Sequence, residues 1–384
     1  MEESIAMQVL IVDYNKMEGF GGGVYEARAV VNCMAALADS VTLLYPSETG
    51  RPDPELLPVV RQIPVPDAVS LLKKAWRVIR HGRLHRFCPV FQSTLASSRF
   101  DVVVFHNSKG SRGLIDPAKA AGARVIIVHD NYELDYTRDS LPWFLRPFLL
   151  PPTVRSERES LLKSDLSLTL SVSDATQMRK AYHLSPDTRV EVLGVSEYKH
   201  REQPAAFSEV DGPVFAITGN LSAKQTVDSL LPWLADYEPI LRRIVPDARI
   251  IVAGKHPSAA LTRLLEERGI EVVDTPPDMD GVLARARYYI CPVFKGSGVK
   301  LRVMDGLRSG LPALVHRNAA RGYESFEGKG LFVYQDAPSF ESALKTMLSS
   351  HHSKEEMFRM YQTTFSYESG ILRMKDAVES LSER

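Results

Sequence analysis

The sequence predicts an α/β protein of two domains, each an open parallel sheet with helices on both faces. Three features of the 384 residues predict it. Short apolar runs such as QVLIV at 8–12 are continuous rather than alternating, as strands buried on both faces require. Helix-length segments separate these runs, the pattern of successive βαβ units. A polar stretch at 199–213, holding two prolines, divides the runs into two series and reads as a linker. A chain of this length accommodates two domains at roughly 100 to 200 residues each.

In the first series the run at 8–12 leads into Asp13, Tyr14, Asn15 and Lys16, then a glycine-rich stretch through Gly21, Gly22 and Gly23, then a helical pattern near Tyr25. Strand, glycine loop and helix open a βαβ unit. Glycine there lets the backbone approach a ligand that a Cβ would obstruct, and a helix N-terminus favours phosphate. Gly22 and Gly23 are therefore candidate ligand contacts, with a flexible tight turn as the alternative. Further strands are expected at 41–45, 102–105, 124–128 and 166–171. The second series places strands at 214–218, 249–253, 271–273, 288–293 and 313–316, with a long helical pattern between the first two. The two halves are thus Rossmann-like, and ligands of such sheets bind outside the carboxyl ends of the strands, in a cleft between facing loops.

Composition narrows the function. Lys and Arg number 47 against 47 Asp and Glu, which argues against a chain held on nucleic acid or membrane by bulk charge. Cys33, Cys88 and Cys291 form no C-x-x-C pair, so neither a disulfide scaffold nor a structural zinc site is expected. No stretch approaches the about 18 apolar residues of a membrane span. The start Met1-Glu2-Glu3-Ser4 lacks the basic opening and apolar core of a secretory signal, and a cytosolic protein is expected.

A stronger phosphate candidate than the first glycine loop follows the strand at 288–293. Gly296-Ser297-Gly298-Val299-Lys300 offers a nest of backbone donors with Lys295 and Lys300 beside it, and opens a helix carrying Leu301, Met304 and Leu307. Asp305, further along that helix, could accept both hydroxyls of a ribose, or pair with Arg302 three residues earlier.

These residues carry a resemblance. Ile-Val-Ala-Gly-Lys-His-Pro-Ser at 251–258, Pro277-Asp278, Leu283-Ala284-Arg285-Ala286-Arg287, and the run from Gly296 through Asp305 to Gly310-Leu311-Pro312 together resemble the C-terminal domain of GT-B glycosyltransferases of the family 4 type. Gly21 to Gly23, Val128-His129-Asp130 and the segment 164–173 agree more loosely with its N-terminal domain. Phe365-Ser366-Tyr367-Glu368 resembles the start of its last helix. The resemblance implies domains at 1–205 (N-terminal, acceptor side) and 206–352 (C-terminal, nucleotide-sugar side), with a helix at 353–384 returning to the first. It implies a UDP- or GDP-sugar donor, a carbohydrate or lipid-linked acceptor, and transfer in the interdomain cleft.

Residue by residue, the resemblance gives Gly296, Ser297, Gly298, Val299 and Lys300 to the diphosphate and Asp305 to the ribose. Asp stands at 305 where Glu is more usual, and Ser297 where many relatives carry another Glu. Gly219-Asn220 and Lys224 occupy the place of the family's basic donor-site element, with Asn220 replacing a common Arg. Lys224 can neutralise the leaving diphosphate, a transition-state effect, or be a solvated lysine at a helix start. His129 matches a histidine facing the donor sugar and could handle a proton, or be a loop histidine with structural bonds only. His106, at the end of the preceding strand, is a further cleft candidate, and Asp130, Glu133 and Asp135 are candidate acceptor-side bases. No Asp-x-Asp stands where a metal-dependent transferase needs one, so neither a metal nor another cofactor is expected.

Segment 68–100 holds seven Lys or Arg and no acid. Leu72, Trp76 and Ile79 recur at helical spacing opposite Lys73, Lys74, Arg77 and Arg80, a pattern of either a helix on anionic lipid at the inner membrane face or a packed helix with solvated charges. The expected function is retaining sugar transfer in surface polysaccharide or glycoconjugate synthesis. A nucleotide-sugar epimerase or phosphorylase of the same architecture, and a silent partner subunit, are the alternatives.

Overall fold

The computed structural model describes residues 5–19, 21–66, 87–202 and 210–382. The chain divides into two compact units, Met1–Arg201 with Ser366–Arg384, and Glu202–Phe365. The core residues of the basic amphipathic pattern, Leu72 to Arg80, lie outside the described residues. Among the described residues no helix is long and apolar enough to cross a membrane.

In the first unit parallel strands β1 (Ile5–Asp13), β2 (Ala38–Ser47), β3 (Val60–Pro66), β4 (Val102–His106), β5 (Arg124–His129), β6 (Leu166–Thr169) and β7 (Val190–Val192) stand in the order β3-β2-β1-β4-β5-β6-β7. Their apolar runs are continuous because both faces of the sheet are covered. Val9 and Ile11 join Leu43, Val104, Ile126 and Val128 in one core, while Leu10 and Val12 join Leu44, Val103, Phe105 and Ile127 in the other. Successive side chains of a strand point to opposite faces, so one run supplies both cores. Val30, Val31 and Met34 of helix Gly22–Leu37 close the first core. Phe91 of helix Cys88–Ser97 and Ile115 of helix Ile115–Ala120 close the second.

The end of the chain completes this unit. Helix Lys354–Phe365 belongs to the second unit, but the chain breaks at Ser366, whose side chain caps a new helix, Tyr367–Glu379, by accepting from Ser369 N at 3.1 Å. Met374, Ala377 and Val378 enter the first core. Arg373 donates to Leu193 O at 2.6 Å and Val195 O at 2.9 Å. Gly370 permits the approach, since a Cβ there would stand 2.3 Å from Ser196 Oγ.

In the second unit parallel strands β8 (Val214–Asn220), β9 (Arg249–Lys255), β10 (Glu271–Asp274), β11 (Tyr288–Cys291), β12 (Ala313–His316) and β13 (Leu331–Tyr334) stand in the order β10-β9-β8-β11-β12-β13. Phe215, Ile217, Ile250, Val252, Ile290 and Leu314 pack with Trp233 of helix Lys224–Asp236 and Leu344 of helix Ala337–Ser349. Strands β3, β7 and β13 stand where the apolar-run reading has none.

Each sheet grows outward in both directions from one pair of neighbours, β1 and β4 in the first unit and β8 and β11 in the second. The connections from such a pair lead to opposite sides, which opens a crevice at the strands' carboxyl ends. At that end of β8, Gly219 faces Gly254 of β9 in register, and a Cβ on Gly254 would lie 1.7 Å from Gly219 O. We expect Gly254→Ala to lower stability by about 1–3 kcal/mol, read as a lower urea midpoint; an unchanged midpoint would contradict this packing.

Glu157, on helix Arg146–Lys163, is the buried tie of the first unit's second half. It accepts from Glu133 N at 2.8 Å and from Tyr182 Oη at 2.5 Å. Burial pushes its pKa up to about 8 against the opposing effect of these hydrogen bonds. The native state therefore keeps a proton that the unfolded chain releases near its ordinary carboxylate pKa of 4.5. Stability then falls as pH rises between the two values, by about 1.4 kcal/mol per pH unit for this one group. Glu157→Gln should remove that slope, its advantage over the parent growing from about pH 5 to about pH 8 in urea titrations. A difference independent of pH would show that Glu157 is ionised in the fold.

Candidate functional site

The carboxyl ends of the central strands of the first unit gather a buried charge cluster. Asp13 ends β1 and is in register with His106, which ends β4; Asp130 follows β5. His106 Nδ1 bonds Asp13 Oδ2 at 2.8 Å, and its Nε2 pairs with Asp130 Oδ1 at 2.7 Å. Burial opposes charge on the ring, but the Asp130 and Asp13 carboxylates outweigh it and hold the imidazole well above its ordinary pKa. Burial pushes Asp13 up, while His106 and Asn107 hold Asp130 down despite its burial.

Asn107, next in the chain, has a left-handed backbone at φ 74°, unusual for a residue with a side chain. It donates to Glu133 Oε1 at 2.9 Å and Asp130 Oδ2 at 3.3 Å. Glu133 also pairs with Lys109 at 2.5 Å, and the Lys109 ammonium lies 4.3 Å from the centroid of the Tyr136 ring.

The glycine loop joins this cluster. Gly22 begins helix Gly22–Leu37, Gly23 carries its carbonyl 3.4 Å from Asn15 Nδ2, and Asn15 N donates to Asp13 Oδ1 at 2.6 Å. Gly21 has φ −75° and no atom within 4 Å of a Cβ built on it, so it serves openness rather than a left-handed turn. His129 lies in the same layer with 0 % exposure, Nε2 3.4 Å from Ser167 Oγ and Nδ1 without a partner. Burial pushes its pKa down to about 4, which leaves it neutral at physiological pH. Asp135 pairs with Arg138 at 2.9 Å, away from the cluster's bonds. Thus His106, Asp130 and Glu133 come together, with Asp13, Asn107 and Lys109 as members to which the sequence reading gave no site role.

The second unit builds a different site from the loop between β11 and helix Arg302–Arg308. Lys300 turns back on its own loop, its Nζ donating to the carbonyls of Gly296 at 3.0 Å, Ser297 at 2.6 Å and Gly298 at 2.7 Å. In a trans peptide the carbonyl and the following N–H point in opposite directions. The amides of Ser297, Gly298 and Val299 are thereby turned away from the ammonium, and none donates to a protein acceptor among the described residues. Ser297 Oγ is buried and without a partner. Gly296 and Gly298 have φ of 100° and 75°, which this sharp turn requires and which side chains rarely adopt. Lys300 thus lies on the carbonyl side of the loop, where it shapes the nest.

Neighbouring groups hold the loop in place. Gln225 donates to Lys295 O at 2.8 Å and Asn318 to Gly296 O at 2.9 Å, while Tyr323 Oη donates to Lys300 O at 3.2 Å. Arg302 reaches Thr218 O at 3.3 Å and Thr226 Oγ1 at 3.1 Å, filling the space a Cβ on Gly219 would take. Asp305 pairs with Arg308 at 3.3 Å rather than with Arg302, and Arg308 also holds Asp280 at 2.7 Å. Asn220 accepts from Ser222 N at 3.1 Å at the end of β8. Lys224 begins the next helix, its side chain 86 % exposed and paired with Asp228 at 2.6 Å. Gly219, Asn220 and the 296–299 loop therefore share the crevice between β8 and β11. Gln225, Asn318 and Tyr323 are supporting residues that no spacing in the sequence marks, and Arg302 supports the crevice instead of making the pairing with Asp305 that its spacing suggests. Among the described residues, no three His, Cys, Asp or Glu side chains are placed to hold a metal.

Comparison with known proteins bears on both units. Residues 212–350 match the sequence model of the family described as Glycosyl transferases group 1. No curated protein sequence matches the chain. Among solved structures, sucrose-phosphate synthase from Thermosynechococcus elongatus is similar at 13 % identity and a TM-score of 0.67, over 98 % of this chain and 99 % of that one. The lipopolysaccharide outer core galactosyltransferase WaaB is similar at 13 % identity and a TM-score of 0.67, over 97 % and 99 %. Anabaena HepE, solved with UDP and glucose, is similar at 10 % identity and a TM-score of 0.65, over 97 % and 100 %. At these identities the likeness is one of fold, and it extends over both units. Residues 212–350 carry the match to the glycosyl transferases group 1, and the chain that carries them is a glycosyltransferase of GT-B architecture.

Proposed function

We propose that the protein moves a sugar from a UDP- or GDP-sugar to an acceptor hydroxyl in the assembly of a surface polysaccharide or other glycoconjugate, with retention at the anomeric carbon. One observation carries the donor assignment. The buried Ser297 Oγ has no partner, and the amides of Ser297, Gly298 and Val299 beside it donate to no protein acceptor among the described residues, a set of donors that an acceptor-rich ligand satisfies. A diphosphate supplies such acceptors.

In transfer the bond from the anomeric carbon to the β-phosphate oxygen breaks, the acceptor oxygen bonds that carbon, and the nucleoside diphosphate leaves with the electron pair and takes up the proton of the acceptor hydroxyl. Negative charge grows on the diphosphate, where fixed amides stabilise it without reorganising. Lys224, exposed and paired only with a neighbour one turn along its helix, is assigned to meet that charge on leaving its Asp228 partner. Gly219 and Asn220 form the floor beside it. Asp305 takes the ribose hydroxyls, giving up part of its contact with Arg308.

The acceptor belongs to the first unit, at Gly22, Gly23 and the Asp13–His106–Asp130 cluster. His129 is retained as a hydrogen-bonding group for the donor sugar. With its pKa near about 4 it offers a neutral imidazole and no proton at physiological pH. The enzyme is placed in the cytoplasm, reaching lipid-linked acceptors at the inner membrane face, with segment 68–100 as one contact.

Thermal-shift titration tests the donor site. One nucleoside diphosphate at about 100 times its Kd should add about 2.7 kcal/mol of stability. Asp305→Ala should weaken that ligand about tenfold and leave inorganic pyrophosphate unaffected. Equal loss for both ligands would remove the ribose role. Lys224→Ala should lower kcat for sugar transfer by about 100-fold or more with an unchanged melting temperature. Retained transfer in this variant would remove Lys224 from the mechanism, and donor turnover without any acceptor would favour the epimerase.

A further inference from the structure

Helix Glu133–Ser140 ends at Leu141, and the chain passes Pro142 into a short 3-10 turn, Trp143–Leu145, and then helix Arg146–Lys163. Trp143 is 78 % exposed, Phe144 55 % and Phe148 64 %. The Trp143 and Phe144 rings meet edge to face at 6.2 Å. Large aromatic surface clustered in one short segment on water is unfavourable unless something covers it.

The helix that follows has two distinct sides. Pro152, Thr153, Ser156, Glu157, Ser160 and Leu161 are buried in the first unit. Phe148, Pro151, Arg155, Arg158 and Leu162 recur at steps of three and four and are exposed. Among the described residues Arg155 and Arg158 have no acidic partner, while Glu159 beside them is engaged by Lys163 at 3.3 Å and Arg112 at 3.5 Å. The exposed stripe is therefore aromatic at its start and carries unneutralised positive charge further on.

We propose that this face docks on an anionic lipid bilayer. Trp143, Phe144 and Phe148 enter the boundary between headgroups and acyl chains, and Arg155 and Arg158 meet lipid phosphates. The charge pattern selects this occupant. A two-fold contact with a second copy would bring the same arginines together on a stripe without acids, whereas anionic lipid neutralises them. The docking surface uses none of the residues of segment 68–100 or of the donor site.

Co-sedimentation of the full chain with vesicles tests it, using phosphatidylcholine alone and phosphatidylcholine with about 30 % phosphatidylglycerol. Binding is expected to the anionic vesicles. The double variant Trp143→Ser/Phe148→Ser should bind them about tenfold or more less tightly. Arg155→Gln/Arg158→Gln should lose about fivefold per arginine and with it the preference for anionic lipid. Both should keep the parent's melting temperature and nucleotide-induced stabilisation, which separates this failure from that of the donor site. The proposal is overturned if the parent binds neither vesicle. It is equally overturned if both variants bind as the parent does while charge reversal at Lys73, Lys74, Arg77 and Arg80 abolishes binding. Lipid-free self-association lost in Trp143→Ser/Phe148→Ser would give the face to a second copy instead.

Discussion

The loop that opens the candidate donor site takes its shape from the Lys300 ammonium. Lys300 holds three successive carbonyls of its own loop, and peptide planarity then turns the following amides the other way. A lysine two to four residues along the chain can do this only if the loop curls tightly, which the left-handed Gly296 and Gly298 allow. The positive charge contributes to the field around the nest, and its three carbonyl contacts set the shape of the loop. Everything assigned to the second unit, from the unpartnered Ser297 hydroxyl to Asp305 on the following helix, takes its position from that turn.

The two units use one topological device for different chemistry. In each, the site lies at the carboxyl ends of the neighbouring strands from which the sheet grows in both directions. The second unit places unpaired donors there, suited to an anion. The first places paired charges there, with His106 between Asp13 and Asp130 and Lys109 against Glu133. Removing one member of such a buried set leaves the others uncompensated, so the cluster acts as a unit. Through Asn15 it also fixes the glycine loop that opens the first helix.

The central strands were legible because burial on both faces makes them apolar throughout. β3, β7 and β13 were not, and all three lie at sheet edges. β3 reads Val-Arg-Gln-Ile-Pro-Val-Pro, with prolines tolerated where an edge leaves amides unpaired; β7 is three residues long with a Glu in its middle; β13 is four residues long. At the site, Gly296-Ser297-Gly298 stood out because glycines flanking a small hydroxyl are uncommon before a helix. The carbonyl partners of Lys300 did not, since nothing in the spacing of a lysine beside a glycine loop shows that it folds back onto its own backbone. Nor did the partner of Asp305, because Arg302 and Arg308 are equally three residues away and only packing against Gly219 draws Arg302 elsewhere. Asp13 and His106 are ninety-three residues apart and meet only through strand pairing.

The central claim is that the amides following Gly296 receive the diphosphate. Amide resonances of Ser297, Gly298 and Val299, followed by NMR while a nucleoside diphosphate and then pyrophosphate are added, test it most directly. Both ligands are expected to shift these three resonances, whereas saturable binding of the nucleotide that leaves all three unmoved would contradict a diphosphate seat on these amides.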